Sequence, residues 1–312
     1  MKVIGVVEYG GPEALQIFEV PEPHAGPGHV RIRVAAATVN PTDTAVRNGA
    51  RADSQKEFSP PYVPGMEAAG LLDEIGEGVV TDLSIGDQVM AIVVPRGSHG
   101  AYAERVVVPI ESVARTPAGS SLVEAATLPM NGLTARLALD LLALRPGQTL
   151  AVTGAAGAFG GYVVQLAKAE GLRVIGDASP ADTALVRALG ADEVVDRGDD
   201  LAGRIRAIVP GGVDGLADGA LLYAKALPAV RDGGGMATVR TYAGESERGI
   251  TIHPVWVREY AREQAKLDAL RQQVEGGIVS LRVARTFAPE QAGEAHRILE
   301  AGGTRGRLVI EF

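Results

Sequence analysis

The sequence predicts an α/β protein: a β-rich first part, then a doubly wound parallel sheet. Three observations carry that expectation. Residues 1–121 hold short apolar or alternating runs separated by Gly and Pro. From Ser121 onward, strand-like runs alternate with helical ones. A glycine-rich stretch, "VTGAAGAFGGY" at 152–162, stands between a strand and a helix.

In the first part, "VRIRVAAATV", "AAGLLDEIG", "DQVMAIVV" and "AYAERVVVP" read as strands, and "HAGPGH", "PPYVPG" and "RGSHG" as turns. Strands at such spacing suggest a small barrel or sandwich. "SLVEAATLPMNGLTARLALDLLAL" reads as helix, with Ser121 as N-cap and Glu124 completing a capping box. "TLAVTG" is then a buried strand, "GGYVVQLAKAEG" a helix closing at Gly171, and "LRVIGDA" a strand. "PADTALVRALG" is a helix with Pro180 in its first turn, followed by the strand "DEVVD", the helix "DDLAGRIRAIV" and the strand "VDGLAD". "ALLYAKALPAVRDGG" reads as helix and "GMATVRTYA" as strand. The tail adds a helix ("REYAREQAKLDALRQQVEGG"), a strand ("LRVARTF"), a helix ("PEQAGEAHRILEAGG") and a last strand ("RLVIEF"). Its strands are free to rejoin the first part.

Composition narrows the chemistry. The 312 residues are 46% hydrophobic and 22% charged, ordinary for a soluble chain with two cores. There is no cysteine, which excludes disulfides, thiolate zinc sites, iron–sulfur clusters and cysteine nucleophiles. A net charge of −8 with no basic run argues against a nucleic-acid surface. No signal-peptide pattern opens the chain, and no segment offers the ~20 apolar residues that span a bilayer. The expectation is a cytoplasmic protein without membrane or nucleic-acid partners.

The glycine-rich stretch follows the strand predicted over Thr149–Thr153 and opens a helix from about Gly160. A dinucleotide fingerprint stands in that context. The spacing departs from G-x-G-x-x-G: it reads Ala155-Ala156-Gly157-Ala158-Phe159-Gly160. A small first residue still permits the tight turn. Gly157 lets the backbone approach a pyrophosphate, and Gly160 lets helix and strand pack closely. Free N–H groups at the helix start favour phosphate. The residue that selects the cofactor is expected at the end of the next strand, in "LRVIGDASP". Asp177 there suits the ribose 2′-OH of NADH, and Ser179 the 2′-phosphate of NADPH. NADPH is the expectation, with NADH as the alternative.

The chain resembles the zinc-independent quinone oxidoreductase branch of the medium-chain dehydrogenase/reductase superfamily. The resemblance runs over essentially the whole chain. It is carried by "GGPEALQIFEVPEPHAGPGHVRIRVAAATVNPTDTAVRNG", "PYVPGMEAAGLLDEIGEGV" with "GDQVMA", "GAYAERVVVP", "AATLPMNGLTA", the glycine-rich stretch, "RALGADEVVD" and "EAHRILEAGGTRGRLVIEF". It implies a GroES-like β-barrel catalytic domain over residues 1–121, completed by 265–312, and a Rossmann domain over 122–264. It also implies hydride transfer from NAD(P)H to a quinone or an α,β-unsaturated carbonyl, in the cleft between the domains. An enoyl reductase of a biosynthetic pathway and a non-catalytic NADPH-binding protein are the alternatives within this resemblance.

The resemblance also implies site residues. Alcohol dehydrogenases of the superfamily hold zinc through cysteine and histidine. Here the corresponding motif reads Gly65-Met66-Glu67-Ala68-Ala69-Gly70, with a thioether in the histidine position. No metal site is expected, and Glu67 reads as a buried structural acid. Asn40, in "TVNPTD", matches an asparagine near nicotinamide and substrate, with Asp43 stabilising the same turn. Thr134 matches a threonine facing the nicotinamide. Asn40 and Thr134 are therefore the candidate catalytic residues. The candidate cofactor residues are Ala155 to Gly160, Ser179, Val239 and Thr241 beside the nicotinamide, and Arg305 and Arg307. Where relatives often carry tyrosine, this chain has Ala45, which leaves a larger pocket. His296 reads as structural, and the strands near "ATVRTYAG" and "GITIHPVWV" offer an edge for a homodimer.

Overall fold

The computed structural model describes residues 1–312. The chain divides into two compact units. The first comprises residues 1–130, 261–275 and 281–312; the second, residues 131–260 and 276–280.

In the first unit, β1 (Lys2–Gly5) and β2 (Gln16–Glu19) form a short antiparallel pair. The central strand is β3 (His29–Thr38). Its alternation puts Val30, Ile32 and Val34 into the core, with Arg31 and Arg33 on the other face. The helix α1 (Pro41–Arg47) follows, then β4 (Glu67–Ile75), β5 (Gln88–Ile92), β6 (Arg105–Pro109), β7 (Val113–Arg115) and the short helix α2 (Leu122–Ala125). Ser121 and Glu124 form the reciprocal capping box that the sequence predicts for α2.

The second unit starts within α3 (Pro129–Leu142). It continues through β8 (Thr149–Thr153), α4 (Ala158–Ala169), β9 (Arg173–Ala178), α5 (Thr183–Ala188), β10 (Glu193–Asp196), α6 (Leu201–Ile208), β11 (Val213–Asp218), β12 (Val230–Thr238) and β13 (Thr251–Pro254). All six strands are parallel, in the order β10-β9-β8-β11-β12-β13. This is the doubly wound Rossmann order, with α4, α5 and α6 in the first three crossovers. Its core is aliphatic: Ile175, Val213, Leu216 and Met236 are buried, each stabilising the fold by about 1.5–3 kcal/mol.

The chain then returns to the first unit with α7 (Gln264–Glu275), β14 (Val283–Phe287), α8 (Ala292–Ala301) and β15 (Arg307–Glu311). β15 runs antiparallel to the end of β3, and β14 lies parallel outside it. The first sheet therefore reads β14-β15-β3-β4-β5-β7, with β6 also paired to β3. This is the GroES-like unit, completed by the tail strands.

Three local expectations are corrected. The long helix expected from Ser121 is two helices, α2 and α3, because Pro129 lacks the N–H that would continue the first. "ALLYAKALPAVRDGG" is not a helix. It forms 3-10 turns at Tyr223–Lys225 and Leu227–Ala229, and β12 already starts at Val230. Leu221 and Tyr223 adopt left-handed backbone there (φ 59° and 53°), and Pro228 again removes a donor. The tail helix begins at Gln264, after a 3-10 turn at Val257–Tyr260. No helix is long and apolar enough to cross a membrane.

Candidate active site

In the second unit, Gly154 (φ 66°) turns the chain at the end of β8. The Gly157 N–H donates to the Gly154 carbonyl at 2.9 Å. Gly157 is the N-cap of α4 and provides no side-chain cap for its amides. At Gly160 a Cβ would collide with the Gly154 carbonyl and lie 2.8 Å from the Ala155 Cα, so only glycine lets the helix pass the turn. Ala155, Ala156 and Gly160 are buried; Gly157, Ala158 and Phe159 are half-buried. The sheet order reverses between β8 and β11, directly beside this turn. Such a switch point, with small residues and uncapped helix amides, fits the pyrophosphate of a dinucleotide.

The structure adds residues that sequence reasoning missed. Thr153, Asp218 and Thr238 stand side by side in register at the carboxyl ends of β8, β11 and β12. All three are buried. The Thr153 hydroxyl donates to Asp218 at 2.6 Å, and the same carboxylate accepts from the N–H groups of Leu222 (3.0 Å) and Tyr223 (2.8 Å). Asp218 thus holds the strained loop after β11 against the switch point. The signal was an acid closing the apolar run "VDGLAD".

At the end of β9, Asp177 is buried. One carboxylate oxygen accepts from the Ala155 N–H of the turn (3.2 Å), the other from Arg197 Nε (3.1 Å). Ser179 is half-buried and its hydroxyl donates to Asp182 at 2.5 Å. Just beyond β12, Val239 is half-buried, and Arg240 and Thr241 are exposed. Thr134 lies buried on α3.

In the first unit, Asn40 is the N-cap of α1 and fully buried. Its Nδ2 donates to Glu67 at 3.2 Å, and its Oδ1 accepts from Arg307 at 2.7 Å. Arg307 also pairs with Glu67 and donates to Thr38. The other Glu67 oxygen accepts from the Met130 N–H at 2.7 Å. The structure therefore places Arg307 in the core of this unit, 5% exposed, rather than on a surface. Arg305, two residues earlier, is half-buried in the loop before β15.

A second buried chain starts at Asp43. Its carboxylate accepts from the Asn40 N–H (2.8 Å) and the Gly65 N–H (2.9 Å), which completes the turn at α1. The Tyr102 hydroxyl lies 3.4 Å from Asp43 and 3.1 Å from His296 Nε2. Burial pushes Asp43 up to about 7, against the lowering pull of the two amides and Arg307. Burial drives His296 down to about 3, helped by the Arg47 charge, so its imidazole is neutral. No three His, Asp or Glu side chains cluster to hold a metal, and the Glu67 oxygens are committed to Arg307 and the Met130 amide. These donors do not fit a zinc ion.

A GroES-like unit and a dinucleotide-binding unit with this turn define a nicotinamide-dependent oxidoreductase. Comparison with known proteins agrees. The model of the alcohol dehydrogenase GroES-like domain matches residues 26–118, and that of the zinc-binding dehydrogenase matches residues 189–310. A 2-haloacrylate reductase from Burkholderia sp is 30% identical, over 96% of each chain. The quinone oxidoreductase of Coxiella burnetii is 28% identical, with a TM-score of 0.87 over 100% of this chain and 99% of its own. A mycobacterial protein solved in complex with NADPH is 26% identical, with a TM-score of 0.86 over all of both chains. The chain belongs to the quinone oxidoreductase branch of the medium-chain dehydrogenase/reductase superfamily and is an NAD(P)H-dependent oxidoreductase.

Proposed function

We propose that the protein reduces a quinone or an α,β-unsaturated carbonyl with NADPH and without a metal ion. The observation that carries this reading is the glycine-rich turn at the switch point, which suits the cofactor's pyrophosphate. When bound, NADPH supplies a hydride to the acceptor. Ala155 to Gly160 cradle the phosphates with backbone amides, and Val239 and Thr241 are proposed beside the nicotinamide. The NADPH-bound mycobacterial neighbour supports the choice of cofactor. The similarity to a 2-haloacrylate reductase and a quinone oxidoreductase supports conjugated acceptors.

The donor set supports metal-free chemistry. Without a Lewis acid, an alkoxide is hard to stabilise. A conjugated acceptor spreads the incoming charge over an enolate or quinol anion, which then takes a proton from water. The protein needs only to position the reactants and exclude bulk water. Asn40 and Thr134 are proposed to contact the reacting groups. The Asn40 Nδ2 donates to Glu67 (3.2 Å) and Thr38 (3.4 Å), so donation to a substrate carbonyl means giving up one of these bonds.

Stopped-flow loss of nicotinamide absorbance against a panel of quinones and enones tests this reading. Turnover that survives a chelator is the expected result. Tight NADPH binding with no turnover on any acceptor would overturn the enzymatic reading in favour of a binding protein.

A further inference from the structure

We propose that Arg197 is the residue that recognises the cofactor's 2′-phosphate. This rests on the NADPH reading above and assigns its specificity to a side chain outside the glycine-rich turn.

β10 pairs with β9 so that Asp196 lies opposite Ala178. Arg197 is therefore the first residue beyond β10, and its N–H donates to the Ala178 carbonyl at 2.9 Å. This anchors the Arg197 backbone at the strand end where a dinucleotide's adenosine ribose is read. Its side chain is 46% exposed, whereas that of Asp177 is 1% exposed. Only Nε is committed, to Asp177 at 3.1 Å. Nη1 and Nη2 make no hydrogen bond within the chain, leaving a planar two-nitrogen edge that suits a phosphate bidentately.

The neighbouring side chains point the same way. An acid at the end of β9 would ordinarily accept from a ribose diol and select NADH. Asp177 is not free to do so, because one oxygen is tied to Ala155 of the turn and the other to Arg197. Ser179 is a poor phosphate donor here, because its one hydroxyl proton goes to Asp182. Asp182 also sets a carboxylate beside that hydroxyl, which opposes a second anion. The Asp177–Arg197 pair thus masks the group that favours NADH and orients the group that favours NADPH.

Dissociation constants for NADPH and NADH, measured by nicotinamide fluorescence on the intact protein, test this. Wild type is expected to prefer NADPH. Arg197→Leu is expected to weaken NADPH by about 10- to 100-fold with NADH changed much less, so that the preference collapses. Arg197→Lys is expected to keep part of the preference, because it retains the charge but not the fork. Ser179→Ala is expected to leave the NADPH-to-NADH ratio unchanged. A wild-type preference that survives Arg197→Leu overturns the assignment to Arg197 and leaves the NADPH reading standing. A wild type that prefers NADH overturns both. A probe free of folding concerns is competition on wild type: 2′,5′-ADP is expected to displace NADPH far better than 5′-AMP, and equal displacement counts against a 2′-phosphate subsite.

Discussion

The two units treat polar groups in opposite ways. In the GroES-like unit, Thr38, Asn40, Glu67 and Arg307 are buried and hydrogen-bond one another, the two charges pair, and the Arg307 Nε is buried without a hydrogen-bond partner. In the Rossmann unit, the corresponding place is a turn of Gly and Ala with no side-chain cap on the helix that follows. The first arrangement is closed: its hydrogen bonds are spent inside the fold. The second is open: it offers backbone geometry and, at its margin, the half-exposed side chain of Arg197. A closed cluster is fragile to loss of one member, because a buried charge is then left alone. An open turn is fragile to bulk, because added atoms fill the space it keeps.

The largest effect is expected where the closed cluster is broken. Glu67→Ala strands the buried Arg307 charge and is expected to cost about 3–5 kcal/mol of stability, read by urea unfolding. Adding Arg307→Met to that variant is expected to return much of the loss. A double variant no better than the single one would show that the pair is not the source.

Next come the two features of the open unit. Asp218→Ala removes the acceptor for the Leu222 and Tyr223 amides, in a loop that already carries left-handed Leu221 and Tyr223. The expected loss is about 1–3 kcal/mol. Hydrogen exchange should rise first at residues 219–223; exchange that stays unchanged there would deny Asp218 its role. Gly160→Ala forces a Cβ against the Gly154 carbonyl. A strain of about 1–3 kcal/mol is expected, with NADPH affinity down about tenfold or more. Wild-type affinity in this variant would mean that the turn is not the cradle.

The smallest effect is a pH dependence confined to the closed unit. His296 is neutral in the fold, so its contribution is fully present above about pH 6.5 and is lost as pH falls toward about 3. Asp43 runs the other way: its contribution is fully present below its ordinary value of 3.8 and is lost as pH rises through about 7. The two oppose each other between about pH 4 and 7, so the melting temperature is expected to shift by only a few degrees across that window. His296→Gln, which keeps a polar partner near Tyr102, should remove the acid-side fall. An unchanged profile would place the acid sensitivity elsewhere.

Much of this could be read from the residues in order. Strand and helix alternation after Ser121, the turn at 152–162 and the capping box at Ser121 are local patterns, set by periodicity and by neighbours a few positions apart. The misreadings were local as well. Pro129 and Pro228 each interrupted a run that looked helical, and a missing N–H outweighed favourable composition. The site was legible only in part, because its remaining contacts join residues far apart in sequence.

By itself, the sequence determined the α/β class, the place of the glycine-rich turn and the absence of cysteine chemistry, since these follow from residue type and short spacing. Only the tertiary structure decided that Arg307 lies beside Glu67 and Asn40, 240 and 267 positions away, and that Arg197 covers Asp177, 20 positions before it. A charge buried in a core needs a partner, and a partner is chosen by strand pairing rather than by distance along the chain. Strand register brought Arg197 to the end of β9, and no local pattern in "VVDRGDD" announces that neighbour.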